Sequence, residues 1–266
     1  MTGTKRKTLN DFFVRSAKAT KTACPPAKND VSIWQDETNV VTRAGVPGLN
    51  TILDIITLEE EAALLAFLDA QRWRTDLSRR TMHYGGTYCL MPPRTATPEE
   101  RKKIEGTILP APDLPLELGF IVDRMVEHGL YTDTDRPAYC IVNEYLPGQG
   151  ISAHVENFRF GEPVCSLTLA GGDNMRFHEL ASAHDGSVRS GKASQAPRTG
   201  RREDVWLDRR SLVVLRGDAR SKWQHEVVKR KTGKSPGWRR VSLTFRVEKR
   251  KGAAMADYNN TATPSS

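Results

Sequence analysis

Residues 143–156 read NEYLPGQGISAHVE, and the two ends of this stretch decide how the middle of the chain is read. Asn143 and Tyr145 are two apart, as are His154 and Glu156, with Pro147, Gly148 and Gly150 between the pairs. On a β-strand, residues i and i+2 project from one face. Each pair therefore aims two polar side chains in one direction, on either side of a turn. An imidazole and a carboxylate so placed form half of a metal site, or the wet face of an ordinary strand. H-x-E alone does not separate these readings.

Working outward, the chain after Tyr139 has the texture of short strands bounded by Gly, Pro and Asn. The segments are AYCIVNEYL, ISAHVENF, EPVCSLTLA, NMRFHEL, SLVVLRG, WQHEVVKR and RRVSLTFRVE. Such spacing predicts an antiparallel sandwich or barrel. Residues 183–203, rich in Ser, Gly and Arg, read as a long mobile loop. Upstream, Thr57 followed by Glu60 forms a capping box ahead of a helix with a Leu58, Ala62, Leu65, Leu68 stripe, ending near Arg72. A second helix is expected with Leu118, Ile121, Val122 and Met125 buried and Gly129 as its stop. Between the helices, LSRRTMHYGGTYCLMPPR reads as strand–turn–strand, followed by Pro-rich connections and a short charged segment. The fold class is α+β, mainly β.

The 266 residues carry 40 Lys and Arg against 32 Asp and Glu, a net charge of +8. That balance favours polyanionic partners, nucleic acid first. No apolar run approaches the roughly 18 residues of a membrane span and there is no apolar signal core, so an intracellular protein without a membrane partner is expected. Cys24, Cys89, Cys140 and Cys165 show no C-x-x-C spacing and read as reduced thiols. The folded domain is expected over 46–249, between a basic tail (1–45) and a loose one (250–266). In the first tail, Leu9, Phe12 and Phe13 share one side of a single helical turn, as in a docking motif that folds on a partner. The pattern resembles the peptide that engages the sliding clamp of DNA replication and repair, with Arg6 where Gln is usual. Disorder is the alternative.

A metal site needs a third ligand. His128 falls at a helix end, His184 at the entrance of the expected loop, and His83 and His178 elsewhere. His225 lies on a late strand after a Gly-containing turn. Two histidines and one carboxylate leave three positions open on a non-haem Fe(II) centre. Arg240 and Arg246, six apart on RRVSLTFR, share a strand face. Inward-facing arginines are costly unless they meet anions, and a small dicarboxylate supplies them. A solvated strand face is the alternative.

Taken in order, VPGL…EEEAALLAFLD, RRTMHYGGTY, IVNEYLPGQGISAHVE, PVCSLTLAGG, LVVLRGDARSKWQHEV and RRVSLTFR resemble the AlkB-type branch of the Fe(II)/2-oxoglutarate dioxygenases, over about residues 46–248. The resemblance implies a double-stranded β-helix, a jelly-roll relative, with flanking N-terminal helices. It implies Fe(II) on His154, Glu156 and His225. 2-Oxoglutarate would be held by Asn143, Tyr145, Arg240 on the distal carboxylate, and Arg246, with Ser242 as a further contact where the family favours Asn. It also implies oxidative demethylation of nucleic-acid bases, releasing formaldehyde, succinate and CO2. RRTMHYGGTY would form the substrate lid, with Arg79 and Arg80 meeting phosphates and His83, Tyr84 or Tyr88 stacking on an extruded base. The basic tail and the clamp-like motif favour DNA over RNA and a nuclear monomer.

Two features depart from the family. Its carboxylate ligand is Asp, and this chain has Glu, one methylene longer. The interval from Glu156 to His225 is 69 residues, longer than expected for compact members. A weakened site recruited as a binding scaffold is thus the competing reading.

Overall fold

The computed structural model describes residues 39–87, 95–105, 107–157, 159–183 and 196–249. Leu9, Phe12, Phe13, Tyr88, His184, Cys24 and Cys89 lie outside them. The described strands form two antiparallel sheets. The larger contains β1 (Val40–Thr42), β2 (Leu49–Ile52), β3 (Arg80–Tyr84), β4 (Tyr139–Tyr145), β6 (Val164–Leu169), β9 (Leu212–Leu215) and β11 (Arg240–Arg246). Its spatial order is β1-β2-β9-β6-β11-β4-β3. The smaller contains β5 (Ile151–His154), β7 (Asp173–Leu180), β8 (Arg198–Leu207) and β10 (Trp223–Val227), in the order β5-β10-β7-β8. From β4 onward the chain steps between the sheets, staying in the smaller one only for the β7–β8 pair. The last strand returns beside the first, and that winding is a double-stranded β-helix.

The α-helices of the described residues are α1 (Leu58–Asp69), α2 (Pro98–Glu105), α3 (Gly119–Glu127) and the short α4 (Gly217–Ser221) beside β10. Of these, α1 and α3 contribute to the larger core. The capping box of α1 forms as expected, Glu60 N–H donating to Thr57 Oγ1 at 3.2 Å and Thr57 N–H to Glu60 Oε2 at 2.8 Å. The buried face differs from the expected stripe: Leu58 is 53% exposed, while Glu61, Leu64 and Leu68 are buried. Glu61 rotates the helix inward because its carboxylate accepts from Ala170 N–H and from Arg209 Nε. The α3 face is as expected, with Leu118, Ile121, Val122 and Met125 buried and Gly129 at φ +63° beyond its end.

Two expected boundaries need correction, and one segment left unassigned takes a regular form. Val40–Thr42, placed in the tail, pairs with β2. The charged segment after Thr97 is helical, because Thr97 and Glu100 make a second capping box (3.2 and 2.8 Å) with Pro98 in the first turn. The expected loop ends early, since 198–203 opens β8, antiparallel to β7. Cross-strand polar pairs hold the exposed first part of this edge strand, while Val205 and Leu207 near its end are buried. Arg176 Nε and Nη2 reach Asp204 at 2.7 and 2.8 Å, and Thr199 Oγ1 donates to Glu179 at 2.8 Å. Charge along an edge also disfavours pairing with another chain.

Alternation on the central strands creates two interiors. On β11, Val241, Leu243 and Phe245 join Leu64, Leu68, Ile121 and Met125 in the core under the helices. Arg240, Ser242, Thr244 and Arg246 face the other way, into a cavity. Between the sheets, Met175, Phe177, Leu207, Val213, Leu215 and Trp223 form an apolar plug. The remainder of that interior mixes polar side chains such as Asn143, Glu156 and Arg240 with apolar ones such as Ile141 and Val227. Gly150 fixes how closely β5 can approach β10, since a Cβ there would sit 2.2 Å from the Val227 carbonyl oxygen. Gly150→Ala is therefore expected to cost about 1–3 kcal/mol in chemical unfolding, as overpacking does. It should also weaken Mn(II) binding, because these two strands carry His154 and His225.

Candidate metal and co-substrate site

His154 and His225 are register partners on β5 and β10. Their rings stand 4.4 Å apart, and Glu156 follows on the same chain as His154. The ligand atoms of His154, Glu156 and His225 all lie within 4.8 Å of one another. His154 Nδ1 is 2.7 Å from the Ser152 carbonyl oxygen. Donation to that oxygen turns the Nε2 lone pair toward the cluster, the outer hydrogen bond typical of metal-bound imidazoles. His225 Nε2 lies 3.5 Å from Glu156 Oε1, and its buried Nδ1 has no hydrogen-bond partner among the described residues. Two imidazoles and a carboxylate converging in this way, with Glu156 and His225 buried and His154 half-buried, suit Fe(II).

Glu156 is 3% exposed and its charge is shared: Arg246 Nε and Nη2 donate to its two oxygens at 2.8 and 3.0 Å. Burial alone would raise the carboxyl pKa, but Arg246 and His225 outweigh it and hold the group well below the ordinary range. Arg246 thus already has an anion. Arg240 differs. It is 1% exposed, its Nη2 donates to Thr168 Oγ1 at 3.0 Å, and its buried Nε has no hydrogen-bond partner among the described residues. Among the described residues no carboxylate forms a salt bridge with it, and burial pushes its pKa down. A buried guanidinium in that condition fits a carboxylate ligand such as that of 2-oxoglutarate.

The register places the other expected contacts beside it. Tyr145 is opposite Arg240, and Asn143 opposite Ser242. The Arg240 guanidinium carbon is 5.4 Å from the Tyr145 ring centroid. All four residues line one cavity of about 70 Å³ together with the three metal-ligand candidates. A single water needs roughly 10–15 Å³ on the same measure, so there is room for more than solvent.

The lid residues divide by strand parity. Arg79 and His83 line the cavity. Arg80 and Tyr84 face the helix side of β3 and are corrected as substrate contacts. Arg80 makes a bidentate pair with buried Glu144 (2.5 and 2.7 Å) and lies 4.6 Å from the Trp73 ring. Tyr84 packs in the helix-side core, where burial raises its pKa to about 12. His178 also lies away from the cluster, with Nε2 2.8 Å from Glu226. Thr168, the partner of Arg240, was not singled out in the sequence; its even spacing from Ser166 on β6 was the only available signal.

Burial, aided by the Arg74 cation, pushes the His83 imidazole from 6.5 down to about 4. Between those values the unfolded chain binds a proton that the folded chain refuses, so stability falls as pH drops through this window. His83→Gln is expected to flatten that part of a pH–stability profile measured by denaturant unfolding.

A family model described as the 2OG-Fe(II) oxygenase superfamily matches residues 51–246, most of the chain. The protein belongs to that superfamily. Within it, this oxygenase is of the AlkB family. It is 30% identical over 219 residues to human "Alpha-ketoglutarate-dependent dioxygenase alkB homolog 4", covering 75% of this chain and 67% of that protein. It is 29% identical over 240 residues to "Alkylated DNA repair protein ALKBH8 homolog" of Arabidopsis thaliana, covering 83% of this chain and 64% of the relative. It is 26% identical over 204 residues to the Mus musculus "tRNA (carboxymethyluridine(34)-5-O)-methyltransferase ALKBH8", of which it spans only 26%. Fe(II) and 2-oxoglutarate are the oxygenase's cofactor and co-substrate, in keeping with the donor set and the buried Arg240.

Proposed function

We propose that this oxygenase removes alkyl groups from nitrogen atoms of nucleic-acid bases, with alkylated DNA as its first substrate. The observation that carries the reaction type is the buried, carboxylate-free Arg240 beside the His154–Glu156–His225 cluster. When bound, Fe(II) would let O2 act as the oxidant, one oxygen atom going into succinate as 2-oxoglutarate loses CO2 and the other hydroxylating an N-methyl group, whose carbon then leaves as formaldehyde and whose nitrogen regains a hydrogen. The protein's own part is to orient and to exclude water. Arg240 and Thr168 grip one end of the co-substrate, Asn143 and Tyr145 line its flank, and the apolar plug closes the interior behind it. The net charge of +8 supports a polyanionic substrate. Relatives named for DNA repair and for tRNA modification support nucleic acid over protein.

Purified protein with Fe(II) and 2-oxoglutarate is expected to yield formaldehyde and succinate from oligonucleotides carrying 1-methyladenine or 3-methylcytosine, more readily as DNA than as RNA. RNA preference would reassign the substrate. Succinate without formaldehyde from either would remove nucleic acid from consideration.

One observation favours a second reading, a binding scaffold with weakened chemistry: both oxygens of Glu156 are already engaged by Arg246. No succinate from the native protein but recovery in Glu156→Asp would support it. The accompanying proposals of nuclear residence and clamp docking rest on Leu9, Phe12 and Phe13. Alanine at Phe12 and Phe13 should abolish calorimetric binding to a sliding clamp, and unchanged affinity would dismiss the motif.

A further inference from the structure

Arg79 stands one residue before β3, and Thr81 on that strand pairs with Asn143 on β4. Parity therefore turns Arg79 into the cavity with Thr81 and His83. Its Nε donates to Asn143 Oδ1 at 2.8 Å, and its guanidinium carbon lies 5.9 Å from the Tyr145 ring centroid. The same ring has Arg240 at 5.4 Å. No acidic side chain forms a salt bridge with Arg79 among the described residues. The neighbouring Arg80, by contrast, is fully committed to Glu144.

A carboxamide has one accepting end and one donating end. With Asn143 Oδ1 occupied by a guanidinium N–H, the Nδ2 amino group is directed elsewhere and is presented as a donor. A carboxylate or 2-oxo acid oxygen requires a donor there; the reversed amide would offer it a lone pair. From these contacts we infer that Arg79 is a positioning residue for the co-substrate. It locks the rotamer and flip state of Asn143 and supports Tyr145, so that the donors facing 2-oxoglutarate are set before it arrives. Its place on the substrate-side strand makes β3 part of the co-substrate pocket as well as of the lid.

The inference rests on Asn143 facing 2-oxoglutarate, and the test separates the two. 2-Oxoglutarate is titrated by calorimetry into Mn(II)-loaded wild type, Arg79→Met, Arg79→Lys and Asn143→Ala, with Mn(II) affinity and thermal midpoint measured in parallel. Loss of a charge-assisted orienting bond is expected to weaken 2-oxoglutarate about tenfold in Arg79→Met. Mn(II) affinity and the midpoint should stay unchanged, with most of the loss recovered in Arg79→Lys. In turnover, KM for 2-oxoglutarate should rise while kcat stays within about twofold. Weakening in Asn143→Ala but not in Arg79→Met overturns the role of Arg79 alone. No weakening in either overturns it together with the assignment of Asn143. A loss in Arg79→Met that lysine does not rescue, with a lowered midpoint, makes Arg79 a structural residue and also overturns the inference.

Discussion

Replacing Arg240 with methionine is expected to destroy co-substrate binding while leaving the metal-free protein as stable as before, or more so. The two effects separate because the arginine is buried without a carboxylate. Its solvation is lost on folding, and within the described protein it recovers hydrogen bonds to the hydroxyls of Thr168 and Tyr145 but no ion pair. Removing it relieves that desolvation, and methionine fills most of the stem's volume. Against 2-oxoglutarate the balance reverses. A desolvated guanidinium–carboxylate contact costs about 2–5 kcal/mol when truncated, or roughly 30-fold to several thousandfold in affinity. The checks are the 2-oxoglutarate KM from succinate formation and the thermal midpoint of the metal-free protein. A lowered midpoint with an unchanged KM would make Arg240 a structural residue.

Arg246→Met should behave in the opposite way. Both of its hydrogen bonds to Glu156 disappear, and a carboxylate that is 3% exposed is left without a cation. Breaking a buried pair from one side costs about 3–5 kcal/mol, which for a domain of this size lowers the thermal midpoint by about 10 °C. The loss should be largest in chelator and smallest in excess Mn(II), since a bound cation replaces the missing positive charge. In the wild type, the midpoint should depend less on Mn(II). An Arg246→Met midpoint equal to that of the wild type in chelator would mean that the Glu156 clasp is not maintained in solution. These two arginines are six residues apart on one strand, yet one serves the folded chain and the other its ligand.

Much of this was legible in the sequence because alternation is a local signal. The i, i+2 spacings of Asn143 with Tyr145, and the even interval from Arg240 to Arg246, fix a common face whatever the tertiary fold. What the spacing could not show is what stands opposite. Arg246 finds Glu156 rather than a free anion, and that depends on how β5 crosses β11. Arg79 and Arg80 are equivalent in the linear pattern, and only the pairing of β3 with β4 decides that Arg79 enters the cavity. The first part of β8 was hidden because its first six residues are exposed or half-exposed and make cross-strand polar pairs, which carry no apolar period. The short α2 was signalled by Thr97 and Glu100, but its charged sequence gave no buried stripe. In α1 the reading was rotated because Glu61 is buried, and only its partners Ala170 and Arg209, more than 100 residues away in sequence, account for that.

The position of β11 has a consequence for synthesis on the ribosome. It is the last strand of the described chain, yet it lies between β6 and β4 near the middle of the large sheet, not at its edge. Until Arg240–Arg246 has left the exit tunnel, β4 and β6 have partners only on their far sides, β3 and β9, and each keeps an open row of amides toward the gap. The nascent chain at that stage holds every metal-ligand candidate but lacks Arg240, the buried guanidinium assigned to the co-substrate. A stop codon ahead of residue 240 would leave two sticky edges that invite aggregation.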